Sequence, residues 1–500
     1  MSDLGCHKNN NMKPLTNLLK SLKRYELVGK EDWNITEVVF DSRKIAAGVA
    51  GETQLYVAQK GTQTDGHQYI PQVIAQGGRV IVCEVLPETT DPEVTYVKVP
   101  DSSYALGVVA SAFYDNPSKK LKLVGITGTN GKTTTVTLLH KLFTQLGYKT
   151  GLLSTIVNKI GMEEVPSTHT TPDAVELNAL LARMIEAGCA YCFMEVSSHS
   201  ICQNRIAGLH FTGGIFSNIT HDHLDFHKTF ANYIAAKKAF FDKLPKTAFA
   251  LTNVDDKNGM VMVQNSHAKI STYSLLTAAT FKGIILDDCF RGLQMRINNR
   301  EVFFKLCGKF NAYNLLAIYG AAVLLGAPED EVLMQMSLLE SAAGRFQLIY
   351  RNDGSTAIVD YAHTPDALQN VLSTIRETIK NDTEVITVVG CGGDRDKTKR
   401  PEMAEIACKL SSRVILTSDN PRTENPTDIL NDMLAGVPAG KKKNVVVIEN
   451  RREAIKTACM LLPAGGVLLV AGKGHENYQE INHVKHHFDD TEEVKTCFSS

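Results

Sequence analysis

The 500-residue chain reads as α/β, organised in three domains. Three observations predict this. Strand-length apolar runs alternate with helical periodicity from about residue 123 to 340. The alternation restarts near residue 346 and continues to the end, and a shorter mixed segment precedes both. Such alternation builds mostly parallel sheets with helices on both faces. The length agrees, because one core rarely grows beyond roughly 250–300 residues. The expected domains are 12–117, 118–345 and 346–500.

In the first domain, "LYVAQKG" (55–61) and "RVIVCE" (79–84) read as strands, with "YIPQVIAQG" a helix between them. "NPSKKLK" (116–122) is polar, holds a proline and three lysines, and reads as a linker. "LVGIT" then opens the central domain as a strand. "TTTVTLLHKLFTQLG" and "DAVELNALLARMIEAG" follow as helices, and "CFMEVS" and "GGIFSNIT" as buried strands. In the last domain "TAIVDYAH", "EVITVVGCGG", "RVILTSDNP" and "GVLLVAGKG" are apolar strands, each ending in polar or glycine-rich residues. Ligands of open α/β sheets bind beyond such carboxyl ends.

Composition excludes several classes. A net charge of −1 draws neither nucleic acid nor an anionic membrane. No apolar run is long enough to span a bilayer, and "MSDLGCHKNNNMKPL" has no signal-peptide core. Eleven cysteines, an odd number and scattered, read as free thiols in a reducing compartment. Cytoplasmic localisation is expected, without membrane insertion or nucleic-acid binding. Residues 1–11 read as a disordered extension before Met12.

The stretch "LKLVGITGTNGKTTTVTLLHKLF" (121–143) carries the first chemistry. A glycine-rich turn between a strand and a helix holds phosphate oxygens on backbone N–H groups. Gly128, Thr129, Asn130 and Gly131 form the turn. Lys132 is placed to reach the β- and γ-phosphates, and the Thr133 hydroxyl to hold Mg²⁺, with Thr134 following. The usual G-x-x-x-x-G-K-[ST] pattern is not met, because position 126 is Ile126 and the glycines fall at 125, 128 and 131.

The order "GTNGKTTT" resembles the Mur ligase family, the ATP-dependent amide-forming enzymes of peptidoglycan precursor synthesis. The resemblance continues through "DSRKIAAG", "THTTPDA", "MEVSSHSICQNRI", "NITHDHLDFH", "YIAAKKAFF", "GKFNAYN", "VDYAHTPDAL", "GCGGDRDKTKRPEM", "SDNPRTENP" and "AGKGHENYQ". It implies an N-terminal UDP-binding domain, a central P-loop ATPase and a C-terminal Rossmann-like domain that binds the amino acid. It implies ATP and Mg²⁺, an acyl phosphate on a substrate carboxylate, and a monomer. Lys132, Glu195, His223 and Lys237 are the catalytic set it implies. Thr133, Glu195, His223 and Lys237 would hold metal, with Lys237 N-carbamylated. Asn311, Asn314, Arg345, Asp360 and His363 would complete the ATP site.

The nucleotide-sugar substrate implied is UDP-N-acetylmuramoyl-L-alanyl-D-glutamate. Phe40, Ser42 and the turn at 62–64 would hold its uridine end. That turn is Thr62-Gln63-Thr64, where the family commonly has His-Gln-Ala. Thr170, Thr171, Ser197, Gln203 and Arg205 would grip sugar and peptide. The amino acid expected is meso-diaminopimelate, on the "DNPR" signature Asp419, Asn420, Pro421 and Arg422, with Arg395, Gly472 and Glu476. A guanidinium fork suits the distal carboxylate that L-lysine lacks. Rival readings are another ligase of the superfamily, a P-loop hydrolase needing no amino acid, and a binding protein that has lost catalysis.

Overall fold

The computed structural model describes residues 12–46, 48, 51–61, 64–167, 169–220 and 222–499. Residues 1–11, and Thr62 and Gln63 of the expected uridine turn, lie outside the described residues.

Three sheets follow one another along the chain. The first has six strands, with Asn34–Val39, Glu52–Val57, Val80–Cys83 and Thr95–Lys98 parallel and an antiparallel strand at each edge. Both apolar runs read as strands here are strands, and the helix between them forms as Ile70–Ala75 behind a short 3₁₀ turn.

The central sheet has eleven strands. Lys122–Thr127 sits in its middle, paired in parallel with Tyr191–Glu195 on one side and Gly213–Phe216 on the other. Its last five residues are buried, which explains the run 123–126 without a polar side chain. Helix Lys132–Gln145 packs Val136, Leu139, Leu142 and Phe143 into the core behind this strand. Antiparallel strands close both edges, Val157–Ile160 with Glu163–Pro166 and Gly292–Ile297 with Arg300–Phe304.

The third sheet runs Gln347–Tyr350, Thr356–Asp360, Val467–Ala471, Val385–Val389, Arg413–Leu416, Val445–Val447. All but the first strand are parallel. A separate hairpin, Tyr478–Ile481 with Val484–His487, stands after the last core strand.

The stretch read as a polar linker is not a loose tether. Pro117 and Ser118 are buried in a 3₁₀ turn, and Ser118 Oγ accepts the His210 N–H at 2.9 Å. Its lysines face water while the turn packs against helix Ala174–Glu186. All described cysteines are free, including Cys189 and Cys192 three apart at the start of a buried strand. Among the described residues no helix is long and apolar enough to cross a membrane.

Candidate active site

The loop after Lys122–Thr127 is held open by its neighbours. The Thr129 N–H donates to Asn218 O at 2.8 Å and the Asn130 N–H to Asn218 Oδ1 at 3.0 Å. Ser217 Oγ donates to Asn130 O at 2.7 Å. Two glycines are dictated by contact. A Cβ at Gly128 would overlap Ser217 Oγ, and one at Gly131, where φ is +86°, would stand 2.5 Å from Asn314 Oδ1. Helix Lys132–Gln145 starts at Gly131 with no side-chain cap, so its first N–H groups face the loop and favour an anion. Lys132 Nζ curls back onto Gly128 O at 2.9 Å and Thr129 O at 2.8 Å. A phosphate would offer that ammonium a stronger, charged acceptor.

Beside this loop lies a cavity of about 300 Å³. Asn130, Gly131, Thr134 and Asn314 line it from the central domain, and Arg345, Asp360 and Val371 from the far side. Tyr273, Phe310 and Tyr313 add aromatic walls suited to a base. Asn311 stands behind the wall: it donates to Cys307 O at 2.8 Å and accepts from Asn314 Nδ2 at 3.1 Å, so it orients Asn314. Arg345 reaches across to Thr133 Oγ1 at 3.3 Å and lies over the Tyr361 ring at 4.7 Å. Among the described residues its buried Nε has no hydrogen-bond partner, an unsatisfied donor that an incoming anion would meet. Asp360 accepts the Phe346 N–H at 2.6 Å, and burial pushes its carboxyl up to about 6 against the pull of Arg345. His363 binds Tyr361 O through Nδ1 at 2.8 Å and is exposed.

A second group sits on the other side of the loop. Lys237 is 1% exposed, donates to Gly128 O at 2.8 Å and lies over the Tyr233 ring. Burial, and then Lys132 nearby, hold its ammonium well below the ordinary lysine range. Glu195 is buried, and its Oε1 accepts the Thr155 N–H at 2.8 Å. His223 has a left-handed backbone, φ 54°, and Nε2 lies 3.4 Å from Asp222 Oδ2. Partial burial, and then the cations around it, push its imidazole down against the pull of Asp222. Among the described residues no three His, Cys, Asp or Glu side chains gather closely enough to hold a metal.

Next to Glu195 the expected sugar and peptide residues converge. Thr171 Oγ1 donates to Glu195 O at 2.8 Å and accepts the Ser197 N–H at 3.2 Å. Arg205 donates to Thr171 O at 2.9 Å and to Gln203 Oε1 at 2.9 Å. Thr170 Oγ1 accepts from Thr155 Oγ1 at 3.1 Å. Phe40 and Ser42 lie apart, in the first domain. Phe40 packs on its core, and Ser42 starts a short 3₁₀ turn capped by Asp41.

The strand ends of the last domain bring the remaining candidates together. Arg422, φ 52°, donates from Nη1 to Gly393 O at 2.6 Å and lies 3.6 Å from Glu480. A left-handed conformation in an arginine is strained and marks a position over-determined by its surroundings. Gly392 separates Arg422 from Arg395, which is exposed. Asp419, Asn420 and Pro421 are buried, and Asp419 Oδ2 closes on Gly472, φ +117°, leaving no room for a Cβ. Glu476 Oε2 accepts from Asn420 Nδ2 at 2.7 Å, and Oε1 lies 3.4 Å from the Tyr361 hydroxyl.

Three family models match the chain. These are the Mur ligase family catalytic domain at residues 34–114, the Mur ligase middle domain at 126–322 and the Mur ligase glutamate ligase domain at 344–474. The chain belongs to the Mur ligase family. Among similar proteins, a Phocaeicola vulgatus UDP-N-acetylmuramoyl-L-alanyl-D-glutamate--2,6-diaminopimelate ligase is 56% identical over 486 residues, covering 97% of this chain and 99% of the relative. A Clostridium acetobutylicum relative of the same name is 42% identical, with 94% and 96% covered. A solved structure so named superposes with a TM-score of 0.69 at 32% identity, over 97% of this chain and 98% of that one. The MurF structure from Acinetobacter baumannii shares the fold, with a TM-score of 0.61 at 14% identity.

Several residues of this Mur ligase site escaped the sequence. Ser217 and Asn218 brace the loop, and Tyr361 stands between Arg345 and Glu476. Lys473 donates to both Asn420 and Glu476 from complete burial. Each lies inside a stretch quoted from the sequence, but such a stretch does not say which of its polar side chains point inward.

Proposed function

We propose that this Mur ligase joins meso-diaminopimelate to the D-glutamate of UDP-N-acetylmuramoyl-L-alanyl-D-glutamate with ATP, through an acyl phosphate. One observation carries the reading. Two loops at strand ends face each other, an uncapped helix N-terminus with Lys132 on one side and Arg422, Asn420 and Glu476 on the other, with Arg345 and Tyr361 between them.

Amide formation from a free carboxylate is uphill, so the carboxylate must first be activated. ATP would lie in the cavity, its base against Tyr273, Phe310 and Tyr313 and its phosphates on the loop 128–134. Thr170, Thr171, Ser197, Gln203 and Arg205 would hold the nucleotide sugar so that its glutamate carboxylate meets the γ-phosphate. Two anions then approach, and Lys132 and Arg345 offset their repulsion. Mg²⁺ would screen the same charge, held by Thr133, Glu195, His223 and Lys237. The donor types fit: Glu195 is an oxygen ligand, and a histidine pushed down is neutral and able to ligate. Lys237 fits only once its charge is removed. As a buried amine held below its ordinary range it is a nucleophile toward carbon dioxide, and the carbamate is an anion.

The amine of diaminopimelate then attacks the acyl carbon and phosphate leaves. Glu476 would hold the distal ammonium, and Arg422 with Arg395 the distal carboxylate. Arg422 already has Gly393 O and Glu480 beside it, so the distal carboxylate would be an added, bidentate partner that L-lysine cannot offer, which disfavours L-lysine. Asp360 and His363 would border the ATP side, and Phe40 and Ser42 the uridine. A monomer working in the cytoplasm is the setting proposed.

The test is phosphate release from ATP and Mg²⁺ with the UDP-dipeptide, comparing meso-diaminopimelate, L-lysine and no amino acid. Turnover with diaminopimelate and a tripeptide product by mass is expected. Equal turnover without an amino acid would mean a hydrolase, and turnover with lysine alone would overturn the role of Arg422.

A further inference from the structure

Lys473 follows strand Val467–Ala471 by two residues and has no exposed surface. Removing an ammonium from water is costly unless it is paired and hydrogen-bonded. Its Nζ donates to Asn420 Oδ1 at 3.0 Å and to Glu476 Oε2 at 3.1 Å. Asn420 Nδ2 donates to the same Glu476 oxygen at 2.7 Å. Asn420 is fixed in turn, because its Oδ1 also accepts the Glu480 N–H at 2.9 Å. Glu476 Oε2 therefore holds two donors. Its Oε1 faces the Tyr361 hydroxyl at 3.4 Å, too long for a strong bond.

We propose that Lys473 is a positioning residue for the amino-acid substrate: with Asn420 it occupies Glu476 Oε2 and so presents Oε1 to the substrate's ammonium. The proposal rests on the reading of Glu476 as the ammonium's partner. It accounts for a buried lysine beside a cation-binding carboxylate. Two cations on one oxygen would repel, whereas on opposite oxygens of one carboxylate they are kept apart and share its charge. It also explains why the hairpin strand Tyr478–Ile481 is stitched to the Asp419–Arg422 loop. The Arg422 N–H donates to Glu480 O at 3.0 Å and Gln479 Nε2 to Asp419 O at 2.7 Å, so the loop that would read the carboxylate and the residue that would read the ammonium move as one piece.

The experiment compares KM for diaminopimelate, ATP and the UDP-dipeptide in Lys473→Met, Glu476→Gln and the double variant. Lys473→Met should raise KM for diaminopimelate about tenfold or more, the scale of a lost hydrogen bond to a charged group. KM for ATP and for the UDP-dipeptide should stay within about twofold, and in the Glu476→Gln background the same substitution should add little, because the two act through one contact. A similar rise in all three KM values, or full multiplication of the two losses, would overturn the proposal. Lys473→Gln keeps a donor without the charge and serves if the methionine variant is unstable. If neither variant folds with normal ATP binding by calorimetry, Lys473 is structural and the proposal fails. A wild-type enzyme that turns over with no amino acid at all would instead overturn the underlying reading of the reaction.

Discussion

Asp360→Asn should make the protein more stable at neutral pH, and the gain should vanish in acid. Asp360 is 9% exposed at the end of strand Thr356–Asp360, where it accepts the Phe346 N–H at 2.6 Å and is also held by the Ala362 backbone. Asparagine keeps an oxygen for that N–H. What it removes is a buried charge. Burial raises the carboxyl from 3.8 to about 6 even with Arg345 nearby, which corresponds to about 3 kcal/mol between the two protonation states. The sign follows from proton binding. The folded chain holds this proton more tightly than the unfolded chain, so stability falls as pH rises from about 4 to about 6. The cost is fully present above about pH 6 and absent below about pH 4. Asparagine escapes it, so the melting temperature should rise by about 3 °C at pH 8 for a chain of this length melting as one unit, and hardly change at pH 4. Paired melting curves across that range are the assay. A gain independent of pH, or a loss at pH 8, would refute the argument and make the ionised carboxylate a net stabiliser.

Other substitutions separate the parts of the site. Lys237→Ala should lose about a hundredfold or more in turnover, with partial rescue by a small carboxylate in solution, and intact wild-type protein should carry the extra mass of one carbon dioxide; full activity in the variant would remove the role of Lys237. Arg422→Ala should cost about 2–3 kcal/mol of discrimination between diaminopimelate and L-lysine while ATP binding holds, and Arg422→Lys should not restore it, both read from kcat/KM for each amino acid. Gly131→Ala places a Cβ 2.5 Å from Asn314 Oδ1 at a left-handed φ of +86°, so KM for ATP should rise while the melting temperature falls modestly; an unchanged KM would show that the loop has room to adjust.

The parts of the fold that were legible in the sequence are those set by local pattern. The stretch 123–126 carries no polar side chain because both faces of that strand are covered, and Gly-Lys-Thr after it announces the turn and helix. The four C-terminal strands were visible for the same reason. Their spatial order was not, because Val467–Ala471 inserts between Thr356–Asp360 and Val385–Val389 through contacts distant in sequence. The linker reading of 116–122 failed on burial, since three lysines outweigh Pro117 and Ser118 in composition although those two are the residues that pack. At the site, glycines and charged residues within motifs could be named; Thr171, Ser197, Gln203 and Arg205 came only from the resemblance, and they share hydrogen bonds in the structure. Asn311 shows the opposite case: chosen beside Asn314, it turns away from the cavity to hold its neighbour. Lys473 could not be read as a buried cation, because nothing local distinguishes it from a surface lysine beside a glycine.

The central claim is that the substrate's carboxylate, not water, takes the γ-phosphate of ATP. The most direct measurement uses UDP-N-acetylmuramoyl-L-alanyl-D-glutamate with heavy oxygen in its glutamate side carboxylate, turned over with ATP and meso-diaminopimelate. The account predicts that the phosphate released carries one heavy oxygen by mass spectrometry. Unlabelled phosphate alongside tripeptide formation would contradict it.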